Sequence, residues 1–416
     1  MKISVIGLGY IGLPTAAILA SKGLRVKGVD TNLEIVEKIN KGEIHIVEPG
    51  LNNLVEEMVN KGSLSAHQNV EESDVFIIAV PTPFKNDHEP DITYVEKAIE
   101  SIGPNLKKGD LVVIESTCPV GTTEKMNKIL KEMRPDLIFP SLGKDKETDV
   151  SVVYCPERVL PGDILKELVH NNRIIGGISN LCSEKASRLY EKFVEAECLF
   201  SDCRTAELSK LTENSFRDVN IAFANELSLI CDQLGVDVRN LIKVANKHPR
   251  VNILSPGAGV GGHCIAVDPW FIVHSSPNES KLIKLAREVN DDKPKYLIEE
   301  IKKKISKHEQ KTSELTIATF GISFKPDIDD LRESPALEIT KALNSLNAKK
   351  HYIVEPNIES LPGELINERT ELCKIESALS EADILIFLVN HTAFKGIKEE
   401  ELMNKLIFDI AGIFSK

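Results

Sequence analysis

The sequence contains no apolar run long enough to cross a membrane as a helix. Its longest runs, such as DILIFLV at 383–389, are far shorter than the roughly 18–20 residues that a bilayer-spanning helix needs. The N-terminal stretch MKISVIGLGYIGLP is apolar, but glycines interrupt it and it has no basic region followed by a small-residue cleavage site. We therefore expect a cytoplasmic protein with no membrane partner.

The chain also has fewer basic residues than acidic ones. The chain has 51 Lys and Arg against 63 Asp and Glu, which gives a formal net charge of -12. Because an acidic surface repels a phosphate backbone, we expect no nucleic-acid partner. A ligand that carries phosphate would then be held by local features, such as helix N-termini or single arginines.

The usual sequence patterns of a metal site are missing. The eight cysteines are scattered, none forms a C-x-x-C pair, and no two histidines have zinc spacing. We therefore expect no metal, and scattered cysteines of this kind are mostly small buried hydrophobes. A hydrophobic content of 42% and a charged content of 27% are ordinary for a globular protein, and 416 residues suit two or three domains.

Short β-branched runs alternate with helical patterns over the first 200 residues. The runs that we predict as buried strands are KISVIG (2–7), RVKGVD (25–30), VFIIAV (75–80), LVVIES (111–116) and SVVYC (151–155). This alternation predicts a parallel sheet that is covered by helices on both faces.

From Thr205 the pattern becomes helical. The stretch TAELSKLTENSFRDVNIAFANELSLICDQLG predicts one long helix of roughly eight turns. Near Leu315 the strand pattern returns, with LTIATFG, HYIVEP, ILIFLV and LIFDI, after a predicted exposed connector at 303–314. We predict an α/β fold with an α/β domain at 1–200, a helical domain at 201–300 and a second, distantly similar α/β domain at 301–416.

A glycine motif, Gly7-Leu8-Gly9-Tyr10-Ile11-Gly12, lies between the first predicted strand and a helix. In that setting the glycines allow a tight turn, and the helix N-terminus can bind a pyrophosphate. Asp30 ends the second predicted strand, where a carboxylate accepts ribose hydroxyls and repels a 2′-phosphate. The motif therefore predicts a Rossmann dinucleotide-binding domain that prefers NAD to NADP, although an isolated motif of this kind can also be a plain glycine turn.

Two threonines follow other predicted strands. Thr82 lies in AVPTP and Thr117 lies in ESTCPVGT. Ligands of an open parallel sheet bind beyond the carboxyl ends of its strands, so both side chains are placed to touch cofactor or substrate. Helix capping explains them equally well.

Polar residues recur along one face of the long predicted helix. Glu207, Lys210, Asn214 and Arg217 have the spacing i, i+3, i+7 and i+10. Such a stripe is usually a solvated surface. The alternative is that the lysine and the amide point into a site, where they would hydrogen-bond a developing alkoxide.

A cysteine follows a glycine-rich loop in GVGGHCIAVDPWF (259–271). The loop allows the backbone to follow a ligand closely, and we expect Cys264 at a helix start, where the dipole lowers a thiol pKa. Asp268 lies one helical turn later, and Arg250 in the preceding HPRVN could clamp a phosphate or carboxylate. A buried filler is the usual role of such a cysteine. Combined with a dinucleotide fold, however, the thiol suggests two successive oxidations of an alcohol through a thiohemiacetal and a thioester.

Taken together, these motifs resemble the UDP-glucose/GDP-mannose dehydrogenase family, which are NAD-dependent enzymes that oxidise carbon 6 of nucleotide sugars. The resemblance covers essentially the whole chain and is carried by GLGYIGLP, AVPTP, ESTCPVGT, CPER, AELSKLTEN, PGAGVGGHCIAVDP and FGISFKPDIDDLRESP, in the family's order. It implies an N-terminal NAD-binding Rossmann domain, a central domain whose long helix forms a homodimer, and a C-terminal Rossmann-like domain that binds the UDP-sugar.

The resemblance also implies roles for single residues. Cys264 is similar to the family's nucleophile, and Lys210 to the lysine that stabilises the oxyanion, with Asn214 beside it. Asp268 is similar to the acid that works with Lys210 in the first oxidation. The remaining implied catalytic residues are Glu157, which helps to hydrolyse the thioester, and Thr117, which holds the catalytic water. The implied cofactor contacts are Gly7, Gly9, Tyr10, Ile11, Gly12, Asp30, Thr82, Thr117 and Arg332.

Within the family, CPERVLPG and HPRVNILSPGAGVGGHCIAVDPWF are most similar to the branch that oxidises UDP-N-acetyl-D-mannosamine for cell-surface polysaccharides, of the enterobacterial-common-antigen type. Many relatives carry an arginine shortly after the ribose-binding aspartate, where this chain has Ile35. The substrate-lining residues that this resemblance implies are Arg158, Val159, Lys210, Asn214, Arg217, His248, Arg250, Gly261, Phe324 and Lys325.

Three other functions remain open from the sequence. The first is the same chemistry on UDP-N-acetyl-D-glucosamine or UDP-glucose. The second is a non-catalytic NAD-binding protein, and the third is a single-step dehydrogenase that releases one NADH per substrate instead of two.

Overall fold

The computed structural model describes residues 1–414. The chain forms two compact units, of which the first ends at Glu213 and the second begins at Asn214. No helix within residues 1–414 is long and apolar enough to cross a membrane.

The first unit contains a sheet with helices on both sides. Its strands are β1 (Lys2–Ile6), β2 (Arg25–Val29), β3 (Leu64–His67), β4 (Val75–Ile78), β5 (Asp110–Ile114), β6 (Val150–Tyr154), β7 (Arg173–Gly177) and β8 (Cys198–Asp202). Its helices are α1 (Gly12–Ser21), α2 (Leu33–Asn40), α3 (Leu51–Asn60), α4 (Thr93–Ile102), α5 (Thr122–Met133), α6 (Ile164–His170) and α7 (Asn180–Tyr190).

The strand order of this sheet is β3-β2-β1-β4-β5-β6-β7-β8. The five predicted strands, β1, β2, β4, β5 and β6, pair in parallel as expected, and the single antiparallel pair is β6 with β7, a strand that was not predicted. Successive strand residues face opposite sides of a sheet. Val5 and Ile77 accordingly belong to one apolar core, whereas Phe76 and Ile78 belong to another. The predicted burial of both faces is therefore confirmed.

The long helix α8 (Cys203–Leu234) has 32 residues, or about nine turns, and runs from the first unit into the second. It begins two residues before the predicted start at Thr205. The reason is that the Asp202 carboxylate accepts bonds from the Thr205 backbone N–H, at 3.0 Å, and from its hydroxyl, at 2.6 Å. Asp202 thus satisfies donors in the first turn of the helix.

The second unit combines helices with a smaller sheet. Its helices are α9 (Val238–Ala245), α10 (Asp268–Ser275), α11 (Lys281–Ile305), α12 (Pro335–Asn344) and α13 (Ile375–Glu381). Its strands are β9 (Thr316–Phe320), β10 (Lys350–Val354), β11 (Thr370–Leu372), β12 (Ile384–Phe387) and β13 (Leu406–Asp409), in the order β11-β10-β9-β12-β13 with all pairs parallel. Helix α11 continues through Pro294 to Ile305, so the first three residues of the predicted connector are helical.

The two sheets share their central topology. In each, the first strand lies between the second and the fourth, so the chain reverses direction across the sheet at that strand. Gly7 follows β1 with a φ of 90°, and Gly321 follows β9 with a φ of 85°. A carboxylate follows the second strand in both cases, namely Asp30 after β2 and Glu355 after β10. The α/β fold with two Rossmann-like sheets is therefore confirmed.

Candidate active site

The glycines after β1 differ in what surrounds them. A Cβ at Gly7 would lie 2.6 Å from the Ala79 carbonyl oxygen, and one at Gly12 would lie 1.8 Å from the Gly7 oxygen. These two positions therefore need glycine for the turn and for the start of α1. Gly9 has nothing within 4 Å of its Cβ position, so it leaves open space beside the helix N-terminus. This is the cradle that a pyrophosphate requires.

Asp30 lies half-buried at the carboxyl end of β2. Its Oδ2 accepts a bond from the Leu8 backbone N–H at 3.0 Å, and its Oδ1 accepts one from the Asn32 N–H at 2.9 Å. A carboxylate has about four acceptor positions, so Asp30 keeps capacity for the two ribose hydroxyls. The half-buried Ile35 packs on the apolar core of this unit. These residues fit NAD.

A histidine near Asp30 was not predicted. Burial lowers the pKa of His45, and the negative charge of Asp30 opposes that shift. A single histidine in IHIVEPG carries no periodic or motif signal, so only the fold reveals its position.

Thr82 and Thr117 lie half-buried after β4 and β5, at the carboxyl edge of the sheet. Neither is the residue that begins the next helix, because α4 follows Ile92 and α5 follows Gly121. The helix-capping explanation of these threonines is therefore wrong, and both residues lie at the edge where this class of sheet binds ligands.

The polar stripe on α8 divides into buried and exposed parts. Glu207 is fully buried, and its carboxylate accepts bonds from Gly121 N at 2.6 Å, Thr123 N at 2.7 Å and the Thr123 hydroxyl at 2.6 Å. It thereby caps the N-terminus of α5. Lys210 and Asn214 are half-buried and Arg217 is exposed, so the stripe as a whole is not a solvated surface.

Glu157 lies in a buried charge cluster of the first unit. It is 7% exposed, accepts a 2.7 Å bond from the Arg158 backbone N–H, and forms an ion pair with the Arg173 guanidinium. Arg173 also lies 5.3 Å from the ring centroid of Tyr190, whose hydroxyl donates a 2.6 Å bond to Glu115. Burial raises the pKa of Glu115 to about 7 against the opposing charge of Arg173. Arg173 and Glu115 were not predicted from the sequence, because neither stands in a spacing that suggests a partner.

The residues after Glu157 are held by neighbours in the same unit. The Arg158 guanidinium donates a 2.8 Å bond to Glu213 and another bond to the Asn172 carbonyl. Val159 is half-buried against the apolar core. The following loop is fixed by Glu48, whose carboxylate accepts 2.8 Å bonds from the backbone N–H groups of Gly162 and Ile164.

In the second unit, the predicted nucleophile Cys264 and the predicted acid Asp268 lie in the same backbone turn. The Cys264 carbonyl accepts bonds from Val267 N at 3.0 Å and Asp268 N at 2.8 Å, and helix α10 begins only at Asp268. Cys264 is half-buried and lies one turn before that helix, so its predicted position at the helix start is wrong by a turn. Asp268 is 2% exposed and accepts a 2.5 Å bond from the side-chain amide of Asn214.

The glycine-rich loop packs against the segment that follows β9. A Cβ at Gly261 would lie 2.4 Å from the Glu333 carbonyl oxygen and 2.8 Å from Phe324 Cβ. The Gly262 N–H donates a 3.2 Å bond to the Arg332 carbonyl. Three predicted site residues, Gly261, Phe324 and Arg332, are thus brought together with the loop that carries Cys264.

The other predicted site residues of the second unit are exposed or half-buried. His248 and Arg250 are exposed in the turn after α9, where the Arg250 N–H donates to the His248 ring at 3.3 Å. Lys325 is half-buried, and its carbonyl accepts a 2.8 Å bond from the Ser323 hydroxyl. The Arg332 side chain, which is half exposed, forms bonds of 2.5–3.1 Å with the Asp330 carboxylate.

A Rossmann sheet with an open glycine cradle and a ribose-type carboxylate is the arrangement with which NAD-dependent dehydrogenases bind their cofactor. Comparison with known protein families gives matches along most of the chain. The UDP-glucose/GDP-mannose dehydrogenase family matches with its NAD binding domain at residues 1–194, its central domain at 204–292 and its UDP binding domain at 318–416. The chain belongs to this family and is an NAD-dependent nucleotide-sugar dehydrogenase.

Individual relatives agree with this assignment. A UDP-N-acetyl-D-mannosamine dehydrogenase of Campylobacter jejuni is 57% identical over 405 residues, which cover 97% of this chain and 98% of the relative. An NDP-N-acetyl-D-galactosaminuronic acid dehydrogenase of Ralstonia nicotianae is 54% identical over 413 residues, with coverages of 99% and 96%. Among solved structures, a UDP-D-ManNAc dehydrogenase from Pyrococcus horikoshii has a TM-score of 0.88 and 37% identity, and the match covers 100% of this chain and 96% of that one.

Proposed function

We propose that the chain oxidises UDP-N-acetyl-D-mannosamine at carbon 6 to UDP-N-acetyl-D-mannosaminuronate, in the cytoplasm, for cell-surface polysaccharide synthesis. The observation that carries this proposal is the cluster of Asn214, Asp268 and Cys264 behind the glycine-rich loop. Residues 1–200 would bind NAD, residues 201–300 would supply the thiol and the dimer contact, and residues 301–416 would bind the UDP-sugar.

Gly7, Gly9, Tyr10, Ile11 and Gly12 would hold the pyrophosphate of NAD, which accepts a hydride in each oxidation. Asp30 would accept the ribose hydroxyls. Thr82, Thr117 and Arg332 are the further cofactor contacts that we propose.

In the first oxidation, a base removes the proton of the C6 hydroxyl and a hydride leaves C6, for which bound NAD would be the acceptor, so that an aldehyde forms. Asp268 is suited to the role of the base, because it is almost fully buried and the Asn214 amide fixes one of its oxygens at 2.5 Å. Lys210 lies one turn before Asn214 on α8, and its ammonium group would stabilise the developing alkoxide.

In the second oxidation, the Cys264 thiol adds across the aldehyde C=O bond: its sulfur bonds to the carbon, a proton passes to the oxygen, and a thiohemiacetal forms. Removal of the thiohemiacetal hydroxyl proton and of the remaining C6 hydride, for which bound NAD would be the acceptor, would leave a thioester, so no free aldehyde needs to leave the site. Water then attacks the thioester, and the products are the uronate and the regenerated thiol. Thr117 would hold this water, and Glu157 would take its proton. The ion pair with Arg173 fixes the orientation of the Glu157 carboxylate.

The proposed sugar is supported by the names of relatives. The Campylobacter jejuni and Pyrococcus horikoshii proteins are both named for N-acetylmannosamine, but the Ralstonia nicotianae relative is named for a galacto-configured sugar at nearly the same identity. Family resemblance assigns the sugar-lining residues: Arg158, Val159, Lys210, Asn214, Arg217, His248, Arg250, Gly261, Phe324 and Lys325.

A homodimer through α8 is part of the proposal. Phe216, Phe223 and Ile230 are 69%, 51% and 45% exposed and recur every seven residues, so they form one apolar stripe along the helix. Leu234, which is 69% exposed, extends the stripe. A surface stripe of this kind is typical of an interface between helices.

The test is a panel of UDP-sugars with NAD, in which NADH is counted per sugar consumed. The panel contains the N-acetylated manno, gluco and galacto sugars and UDP-glucose. We expect the highest kcat/KM with UDP-N-acetyl-D-mannosamine and two NADH per sugar. A higher kcat/KM with another sugar would overturn the substrate, and a yield of one NADH would overturn the two-step mechanism.

A further inference from the structure

We propose that Asn225 is a positioning residue for the loop that carries Cys264. We further propose that a buried relay through Asn290, Asp218 and Arg287 orients its amide. The relay itself is independent of the substrate, whereas its effect on turnover rests on the proposed role of Cys264.

Asn225 is fully buried on α8 and uses both ends of its amide. Its Oδ1 accepts a 3.0 Å bond from the backbone N–H of Gly257, at the start of the glycine-rich loop. Its Nδ2 donates a 2.9 Å bond to Oδ1 of Asn290 on α11. A leucine of similar size would fill the space but would leave the Gly257 N–H without this acceptor.

The orientation of these amides is dictated by groups that have only one hydrogen-bonding role. The Arg287 guanidinium can only donate, and its Nη1 donates a 2.7 Å bond to Asp218 Oδ1. The same carboxylate oxygen accepts a 2.8 Å bond from Nδ2 of Asn290. Asn290 must therefore present its oxygen to Asn225, and Asn225 must present its own oxygen to Gly257. The relay ends on a backbone N–H, which is again a group that only donates.

The same helix thus holds both ends of the catalytic segment. Asn225 bonds to Gly257 at the beginning, and Asn214 bonds to Asp268 at the end. These two asparagines are eleven residues apart, which is about three helical turns and puts them on one face of α8. Cys264 lies between the two anchor points. Since a free glycine-rich segment has a large conformational entropy, an anchor at each end confines the thiol before substrate binds.

A role in fold stability alone would predict that only side-chain size matters. The aspartate variant separates the two explanations, because a protonated carboxyl has one acceptor and one donor like the amide, whereas an ionised carboxylate has no donor for Asn290. The other charged groups in this polar network are Asp218 on α8 and Arg287, Asp291 and Lys293 on α11.

The experiment compares Asn225→Leu and Asn225→Asp with the wild type in the full-length protein. For Asn225→Leu we expect faster amide hydrogen exchange in residues 256–264, a kcat lowered on the order of a hundredfold and an unchanged affinity for NAD. For Asn225→Asp we expect a kcat that recovers toward the wild-type value as the pH is lowered. Asn220, which is on the same helix and bonds back to the Phe216 carbonyl, gives matched controls, and Asn220→Leu and Asn220→Asp should behave like the wild type.

Unchanged exchange in residues 256–264 of Asn225→Leu would overturn the anchoring role. A pH profile of Asn225→Asp parallel to that of the wild type would overturn the directional relay, and this result remains readable if the leucine variant does not fold. If the wild type oxidises no UDP-sugar, the proposed function fails while the exchange measurement still decides the anchor.

Discussion

Replacing Gly261 by alanine tests whether the position of the glycine-rich loop governs turnover. The added methyl group would lie 2.4 Å from the Glu333 carbonyl oxygen and 2.8 Å from both Phe324 Cβ and Pro335 Cδ. All three neighbours are backbone atoms or are bonded directly to the backbone, so none of them can rotate away. We therefore expect the loop itself to move.

The size of the movement sets the size of the effect. Ordinary contacts of a Cβ begin at 3.4 Å, so relief of the contact with Glu333 requires a shift of about 1 Å. A misplacement of about 1 Å in a catalytic group can lower the rate roughly a hundredfold, or about 2.7 kcal/mol in the barrier. We expect kcat of Gly261→Ala to fall by about this factor because Cys264 stands three residues later.

The assay is the initial rate of NADH formation at saturating NAD over a range of UDP-sugar concentrations. Gly363→Ala is the matched control, because no atom lies within 4 Å of its Cβ position and its φ is outside the left-handed region. Circular dichroism and NAD affinity should be unchanged in both variants. A kcat of Gly261→Ala within about threefold of the wild type would refute the claim that loop position limits turnover.

Three further predictions follow from single groups. Cys264→Ser should abolish nearly all turnover yet bind NAD normally, because a serine hydroxyl is a far weaker nucleophile; near-normal uronate formation would exclude Cys264 as the nucleophile. NAD should be preferred to NADP by at least about tenfold in kcat/KM, because the Asp30 charge repels a 2′-phosphate, and equal kcat/KM values would contradict this role. Burial lowers the pKa of His351 from 6.5 to about 4, so the unfolded chain takes up its proton first on acidification. The stability from this group is present above pH 6.5 and falls by about 2 kcal/mol at pH 5, and urea titrations should show this loss in the wild type but not in His351→Gln.

The sequence predicted most of the strands but missed β3, β7, β8 and β11. Strands β1, β4, β5 and β6 are buried on both faces, and most residues of each are apolar. The edge strand β8 was missed because it alternates weakly, with Leu199 and Phe200 39% and 51% exposed. Strands β3 and β11 are only four and three residues long, and β7 ends in two glycines, so none of them gives a strong strand pattern. Composition also gave no indication that β7 would reverse its direction against β6.

The candidate site shows a similar division. Gly7, Asp30, Cys264 and Asp268 could be singled out as candidate site residues, because each belongs to a motif whose members lie close together in the chain. Partners that are distant in sequence had no such signal. Arg173 is sixteen residues from Glu157, and Asn290 is sixty-five residues from Asn225. Only the packing of helices and strands brings these groups together, so the sequence could not predict them.

In each Rossmann-like sheet a carboxylate follows the second strand, but the two carboxylates differ in how many of their hydrogen-bond acceptor positions are already used. Asp30 accepts two backbone bonds and is half-buried, so part of its capacity remains open. Glu355 is 4% exposed, and its two oxygens already accept five bonds, from the backbone of Ile322, Ser323 and Asn357, the Asn357 amide and the His391 ring. With its acceptor positions saturated, Glu355 cannot receive a ribose diol. The molecule therefore carries the same supersecondary pattern twice, but of the two carboxylates only Asp30 keeps acceptor capacity for a ribose diol.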